Sequence, residues 1–197
     1  DQAGEVEQRV LDAASQLFLS QGFGRTSFDQ VAQEARASKT TLYTRYPTKT
    51  DLFEAVVRRQ TAALLTHFED SPSGGEDVEA RLVVLGAQLA DLTLTEDSIA
   101  LMRVTAAEAE TMPDAARTGF QIGFGACVRY IADGLAADTV LDSDSASKEV
   151  SLLATRFVEL ALHPLYMHAF FGADLADLRA RSAADVVEVA HYLTHNE

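Results

Sequence analysis

The spacing of helix-capping residues along residues 27–47 constrains the fold more than any other feature of this chain. Ser27 and Gln30 are three residues apart, which is the pattern of a capping box at the N-terminus of a helix. Ser38 is a natural N-cap for a second helix, and Pro47 ends that helix because proline cannot donate the hydrogen bond that would continue it. The pattern predicts two short helices joined by a tight turn.

Apolar residues recur at helical spacing through most of the remaining chain, and no segment alternates as a strand would. The predicted longer helices cover residues 5–20, 49–69, 77–94, 96–111, 113–137, 146–171 and 174–194. The clearest break is at 71–75, and 138–145 reads as a polar, acidic loop. The predicted fold class is all-α, with about nine helices. Residues 1–50 would form a three-helix helix-turn-helix bundle and 51–197 a larger helical domain, connected by the helix over 49–69.

The net charge of −14 is unevenly distributed along the chain. Residues 1–60 contain eight basic and eight acidic residues, so residues 61–197 carry the whole net charge. Between Glu34 and Asp51 there are four basic residues and no acidic one. Most charge clusters are solvated surface, but a basic stretch confined to a helix-turn-helix pattern favours contact with DNA.

The second short helix has an apolar side and a polar side. Leu42 and Tyr46 are four residues apart and are predicted to pack inward. The remaining side chains would face outward, where a helix in the major groove reads base edges with hydroxyl and cationic groups. The candidate base and phosphate contacts are Thr26, Arg36, Ser38, Lys39, Thr40, Thr41, Tyr43, Thr44, Arg45 and Lys49. The alternative is a helical protein that binds small molecules or other proteins but not DNA.

These residues strongly resemble the DNA-binding domain of TetR-family transcriptional regulators. The Leu42-Tyr43 pair, Tyr46 and Lys49 match the most recognisable signature of that family. The family usually has glycine in the turn before the recognition helix, where this chain has Arg36. A left-handed turn position disfavours most residues other than glycine by about 1 kcal/mol. Arg36 therefore either avoids that conformation or accepts some strain.

The resemblance covers about residues 6–57 and implies more than the residues themselves show. It implies a double-stranded DNA operator, a small-molecule effector, a homodimer formed through the last two helices, and repression as the usual mode. Effector binding would change the separation of the two DNA-binding heads. The chain is not expected to be an enzyme, to need a cofactor or to contact a membrane. Its single cysteine suits a reducing compartment, and a cytoplasmic location is expected.

The predicted helix over 146–171 is apolar on more than one side, which suggests a core on one face and a partner subunit on another. One predicted apolar face contains Val150, Leu153, Phe157, Leu160, Pro164 and Met167, and the last helix offers Val186, Val189 and Leu193. Candidate effector contacts are Met102, Phe120, Phe124, Cys127, Tyr130, Phe157, His163, Tyr166 and Met167. Aromatic and Met side chains at this spacing are more often plain core.

Two further features bear on an effector pocket. Gly119, Gly123 and Gly125 would leave room beside neighbouring aromatic residues, and Pro164 removes one backbone donor from its helix. An apolar or amphipathic effector would fit this lining best.

Rival functions have weaker support in the sequence. No phosphate-binding loop, nucleophile elbow or His-Glu-x-x-His run is present, which disfavours an enzyme. His191 and His195 have the i, i+4 spacing of metal ligands, and Glu188 lies one turn earlier. Near the end of the sequence such a group is more often a polar face, so no metal site is predicted.

Overall fold

The computed structural model describes residues 2–66, 77–136 and 144–195. Its helices are α1 (Gln2–Gln21), α2 (Phe28–Glu34), α3 (Lys39–Arg45), α4 (Lys49–Thr66), α5 (Val78–Thr93), α6 (Glu96–Ala107), α7 (Pro113–Ala136), α8 (Asp144–Phe157), α9 (His163–Phe170) and α10 (Leu175–His195), with a π turn at Val158–Leu162. With α8, the π turn and α9 taken as one continuous helix, the described residues form nine helices and no strand. The all-α prediction is therefore confirmed.

Three predicted features fall wholly or partly outside the described residues: the end of the fourth helix at residue 69, the break at 71–75 and most of the acidic loop at 138–145. Within the described part of the chain, no helix is long and apolar enough to cross a membrane.

The chain divides into two compact units. The first contains residues 1–61 together with Ala100–Gly123, and the second contains Ala62–Ile99 together with Phe124–Glu197. The first unit thus includes the end of α6 and the beginning of α7. A domain boundary near residue 50 stays a prediction.

The predicted caps of the first unit are confirmed. Ser27 Oγ accepts the backbone N–H of Gln30 at 3.3 Å, and Gln30 Oε1 accepts the backbone N–H of Ser27 at 2.8 Å. Ser38 Oγ accepts the backbone N–H of Thr41 at 3.0 Å. Each cap satisfies donors at a helix start that have no partner within the helix. The ends of α2 and α3 are thus fixed by residues close in sequence.

The core of the first unit is built around three aromatic rings. Phe18 of α1, Phe23 of the following turn and Phe53 of α4 are fully buried, with ring centroids 5.2 to 5.6 Å apart. Such aromatic pairs contribute about 0.5–1.5 kcal/mol each beyond the burial of their surface. Leu42 of α3 and Leu101 of α6 belong to the same buried cluster. The short helices are therefore held by α1 and α4 rather than by their own length.

The second unit buries one side of the continuous α8–α9 segment, but the residues predicted to share one apolar face do not all lie on that side. Phe157 is buried, whereas Leu160, Pro164 and Met167 are exposed. The buried positions after Phe157 are Val158, Ala161, Leu162, Leu165 and Ala169. A π turn holds one residue more than an α turn, so the residues that follow it are displaced by one position. The prediction of one unbroken apolar face through Met167 was wrong for this reason.

Proline explains where the wide turn lies. The backbone N–H of His163 bonds to the carbonyl oxygen of Val158, five residues earlier, and Pro164 then occupies the first turn of α9. Proline has no N–H with which to continue the bonding pattern of the helix, and the wide turn ends just before it. The π turn therefore lets a helix containing proline continue.

Candidate nucleic-acid interface

The exposed side of α3 is the candidate nucleic-acid interface. Leu42 and Tyr46 are buried, as predicted, and the Tyr46 hydroxyl donates to Glu7 Oε1 at 3.4 Å. Burial is the main cause that raises the pKa of Tyr46, and the nearby Glu7 carboxylate adds to it. The side chains left on the surface are Ser38, Lys39, Thr40, Thr41, Tyr43, Thr44 and Arg45. This arrangement presents hydroxyl and cationic groups on one short, anchored helix.

Both cations of α3 are paired with acidic side chains. Lys39 Nζ lies 2.7 Å from Asp29 of α2, and Arg45 Nη1 lies 3.2 Å from Glu7 of α1. All four side chains are substantially exposed, and exposed pairs of this kind contribute at most about 1 kcal/mol. The pairs therefore orient the two cations. Exchanging these ion pairs for other contacts would cost little free energy.

Tyr43 is also oriented before any contact with DNA. Its ring stacks on Phe28 of α2 with centroids 4.7 Å apart, yet about half of its surface remains exposed. The stack leaves Tyr43 at the surface of α3 with few alternative side-chain positions.

Lys49, a predicted phosphate contact, bonds to the protein's own backbone in this structure. Its Nζ donates to the backbone carbonyl oxygens of Phe23 at 2.8 Å, Gly24 at 3.3 Å and Thr26 at 3.0 Å. The same atom lies 4.4 Å from the centroid of the Phe23 ring, within the range of a cation–π contact. Partial burial lowers the pKa of Lys49. The predicted phosphate contact does not fit this position, in which Lys49 joins α4 to the turn between α1 and α2.

Thr26 is likewise part of that turn rather than of its surface. The side chain is buried, and its hydroxyl donates to the carbonyl oxygen of Gly22 and accepts from Gln21 Nε2. A phosphate contact by this hydroxyl does not fit its position either. The burial of Thr26 could not be predicted from its residue type, because an exposed and a buried threonine look alike in sequence.

Arg36 occupies the left-handed conformation, with φ of 49°. It is the only residue other than glycine with positive φ among the described residues. Of the two possibilities left open by the sequence, Arg36 therefore accepts the strain. Its side chain is exposed beside the N-terminus of α3.

Sequence reasoning missed Glu108, which follows the end of α6 at Ala107. Its Oε1 accepts the backbone N–H of Gly24 at 3.1 Å, and its Oε2 accepts the hydroxyl of Thr111 at 2.8 Å. Glu108 also acts electrostatically on Lys49, which contacts the same turn. The turn between α1 and α2 is thus held from two sides. A residue 84 positions away along the chain leaves no local sequence signal.

The predicted effector contacts are divided between the two units. Met102 and Phe120 belong to the first unit, where Met102 is half-buried and Phe120 exposed. The others belong to the second unit, where Met167 is exposed, Phe124, His163 and Tyr166 are half-buried, and Cys127, Tyr130 and Phe157 are buried.

Phe157, a predicted effector contact, and Gly119, a predicted gap, both belong to close packing. A Cβ added to Gly86 would lie 2.6 Å from Phe157 Cζ, so the Phe157 ring fills the space beside that glycine. A Cβ added to Gly119 would lie 3.0 Å from Thr105 Cγ2. Gly119 therefore permits close helix packing rather than leaving room for a ligand. Gly123, by contrast, faces open space.

A polar network lies among the effector candidates of the second unit. The hydroxyls of Tyr166 and Thr93 are 2.6 Å apart, and the Tyr166 hydroxyl also hydrogen-bonds the Cys127 thiol. Burial raises the pKa of the Cys127 thiol to about 11, so the sulfur is a weak nucleophile at neutral pH. Burial likewise raises the pKa of Tyr166. The network provides neutral hydrogen-bonding groups inside the second unit.

An anchored helix with a polar outer face, preceded by a tight turn and a second capped short helix, defines a helix-turn-helix DNA-binding protein. The comparisons with known proteins agree. Residues 10–56 match the family described as bacterial regulatory proteins, tetR family, and residues 80–192 match the C-terminal domain of AefR-like transcriptional repressors. The chain belongs to the TetR family of transcriptional regulators, which are not enzymes. TetR-family regulators bind DNA operators and dimerise.

Individual relatives and solved structures are also similar to this chain. A DNA-binding transcriptional repressor TetR of Mycobacteroides abscessus is 34% identical over 58% of this chain and 60% of its own length. A TetR-family regulator from Mesorhizobium loti has the same fold, with a TM-score of 0.74, 22% identity and coverage of 97% of this chain and 98% of that one. The flavonoid-responsive regulator FrrA is 29% identical, with a TM-score of 0.68 and coverage of 95% and 94%.

Proposed function

We propose that this protein is a transcriptional repressor that binds a palindromic operator as a homodimer and is released by a small apolar or amphipathic effector. The exposed face of α3 carries the DNA-binding part of the proposal, because Leu42 and Tyr46 anchor the helix while its polar side chains stay at the surface. The similarity to a repressor of Mycobacteroides abscessus supports repression. A regulator of bacterial operators would act in the cytoplasm.

Lys39 and Arg45 are the proposed base readers. Cationic side chains of this kind bond guanine O6 and N7, and the hydroxyls of Thr40 and Thr44 can bond most base edges. Binding would exchange the ion pairs with Asp29 and Glu7 for contacts with DNA. Arg36, exposed beside the N-terminus of α3, is the proposed phosphate contact, while Lys49 and Thr26 shape the turn behind it.

Selection of bound sequences from a random DNA pool tests this assignment. The full chain should enrich a palindrome whose half-sites lie about one helical turn apart, or a multiple of it. Arg45→Ala and Lys39→Ala should change the preferred bases and weaken binding to the selected site by about 1–3 kcal/mol each. Arg58→Ala is the matched control, because Arg58 is an exposed cation of α4 paired with Glu54. Equal losses on all sequences for each variant would contradict base reading, and failure to enrich any sequence would contradict DNA recognition.

The proposed dimer interface lies on the last two helices. Most of the large apolar side chains exposed among the described residues lie on or next to the α8–α9 segment and α10: Leu152, Leu160, Met167, Phe171, Val187 and Tyr192. A concentration of apolar surface of this kind marks a protein-protein contact. A homodimer through this surface would place two copies of α3 in successive major grooves.

Sedimentation of a single charged variant tests the interface. Leu160→Glu should shift the protein from dimer to monomer and weaken operator binding, because each α3 would then bind alone. Val78→Glu is the matched control, since Val78 has the same exposure but lies at the start of α5. A dimer that survives Leu160→Glu unchanged would place the interface elsewhere.

The effector is proposed to bind in the second unit, close to Tyr166. The Tyr166 and Thr93 hydroxyls offer a polar contact among apolar neighbours, and the half-buried His163 ring lies edge-on to Phe124. FrrA responds to flavonoids, which are apolar aromatic molecules with hydroxyl groups, and such a molecule would suit this lining. Effector binding must favour one separation of the two heads over the other in order to release DNA.

Release of fluorescent operator DNA tests the effector class. Flavonoids and other small amphipathic aromatic compounds should dissociate the complex, and Tyr166→Phe should raise the concentration needed by roughly tenfold, as expected for one lost hydrogen bond. Thr155→Val, which removes from α8 a hydroxyl that donates to the Ser151 carbonyl oxygen of the same helix, should not. If Tyr166→Phe responds like the unchanged protein, the effector binds away from the Tyr166 network.

A further inference from the structure

Glu79, His191 and His195 come together on the second unit. Among the described residues they are the one group of three or more His, Cys, Asp or Glu side chains whose ligand atoms converge, all within 4.8 Å of one another. Glu79 lies in the first turn of α5, and the two histidines lie one turn apart near the end of α10. The sequence pointed to Glu188 as the third member, but that residue does not belong to the cluster.

The three side chains are close enough together to share a single small cation. His191 Nδ1 lies 3.2 Å from Glu79 Oε1, and His195 Nδ1 lies 3.4 Å from Glu79 Oε2. Ligand atoms bound tetrahedrally at 2.0–2.1 Å from zinc lie about 3.3 Å from each other. The two imidazole rings stack, with centroids 4.3 Å apart and an interplanar angle of 28°.

Neighbouring groups orient these side chains. The Thr194 hydroxyl lies 3.4 Å from Glu79 Oε2 and 3.0 Å from His195 Nδ1. The His191 backbone carbonyl oxygen lies 3.2 Å from the same His195 Nδ1. His195 would therefore offer its other ring nitrogen, Nε2, to a metal while Nδ1 keeps its hydrogen bond, an arrangement typical of metal-ligating histidine. Both histidines are more than half exposed, so a hydrated ion can reach them and keep water ligands.

We propose that Glu79, His191 and His195 bind one divalent transition-metal ion of the zinc class, with water completing its coordination. Two imidazoles and one carboxylate form the ligand set of open zinc sites, and imidazole also suits Co²⁺, Ni²⁺ and Cu²⁺. The ion would replace the direct contacts between Glu79 and the two histidines. It would join the start of α5 to the end of α10, which are 112 residues apart in sequence between Glu79 and His191.

Calorimetric titration of the untagged full chain with Zn²⁺ alone tests the site. One ion should bind per chain, and Glu79→Gln, His191→Asn and His195→Asn should each weaken binding by at least about tenfold. Glu159→Gln and His168→Asn are the matched controls, because they remove an exposed carboxylate and an exposed imidazole elsewhere in the second unit. Both controls should bind zinc as the unchanged protein does.

Thermal melting supplies a second measurement. An ion that binds only the folded chain raises the melting temperature, and the rise grows with its concentration. Zinc should therefore raise the melting temperature of the unchanged protein and of both controls, but not that of Glu79→Gln. Melting without zinc shows that each variant is folded, since all three changes are at accessible side chains.

The proposal makes no use of DNA binding, so it stands or falls independently of the proposed function. Zinc affinity in Glu79→Gln equal to that of the unchanged protein would overturn it. Equal losses in the site variants and the two controls would also overturn it, because they would indicate diffuse binding to an acidic surface.

Discussion

The helix-turn-helix segment and the α8–α9 segment follow their sequence patterns to different extents. In the helix-turn-helix, each predicted cap forms and the predicted apolar side of α3 is the buried one. In α8–α9 the predicted apolar face is correct up to Phe157 and is displaced by one residue after the π turn. Short helices are fixed by neighbours three or four residues away. The buried face of a long helix depends on the elements that it packs against, and one inserted residue changes which face is buried.

The largest expected effect tests the displaced face with two leucines of the same segment. Leu162 is fully buried and Leu160 is 48% exposed, although the sequence predicted Leu160 to share an apolar face with the buried Phe157. Leu162→Ala should lower the free energy of unfolding by about 2–5 kcal/mol, because it leaves a cavity. Leu160→Ala should lower it by less than about 1 kcal/mol at fixed oligomeric state. Urea unfolding measures both, and equal losses would show that the π turn does not displace the face.

The next largest effect is expected in the helix-turn-helix, where Lys49 donates to backbone carbonyl oxygens of the turn between α1 and α2. Lys49→Met leaves three backbone carbonyls without their cationic donor and should cost about 1–3 kcal/mol in unfolding free energy. The matched control Lys39→Met loses one exposed ion pair and should cost less than about 1 kcal/mol.

Salt dependence separates the two lysines further. The slope of log affinity against log salt should change little in Lys49→Met and should fall by about one unit in a variant that loses a phosphate contact. A slope reduced by about one unit in Lys49→Met would restore the phosphate contact that the sequence predicted.

Arg36→Gly should have a smaller and opposite effect on stability. Glycine adopts a φ of 49° without steric penalty, so the unfolding free energy should rise by up to about 1 kcal/mol. Operator affinity should nevertheless fall, and the salt slope with it by about one unit, if the arginine contacts a phosphate. Arg25 does not have a positive φ, so Arg25→Gly relieves no backbone strain and serves as the comparison for the loss of a positive charge. Unchanged affinity and slope in Arg36→Gly would contradict the phosphate contact.

Glu108→Gln should give the smallest effect of the four. The amide keeps an oxygen for the Gly24 N–H but removes the negative charge near Lys49. We expect a loss of about 0.5 kcal/mol in unfolding free energy, because the neutral amide still accepts the Gly24 N–H. Glu110→Gln, an exposed neighbour on the same stretch, is the control. Equal unfolding curves for the two variants would show that Glu108 does not hold the turn.

Much of the candidate interface could be predicted because it depends on nearby residues. The Ser38 cap, the inward Leu42 and the outward Lys39 all follow from spacings of three or four residues. The partners of these side chains could not be predicted in the same way. Lys49 donates to carbonyls 23 to 26 residues earlier, and a buried threonine such as Thr26 has no distinguishing residue type.

The sequence by itself determined the all-α fold class, the caps of the short helices and the outer face of α3. Each of these depends on contacts within one or two helical turns, and such contacts leave a periodic pattern. Only the tertiary structure decided that Lys49 closes the turn, that Leu162 rather than Leu160 is buried, and that Glu79 joins His191 and His195. These outcomes depend on which distant backbone or side chain is adjacent in space, and the spacing of residues along the chain does not record that.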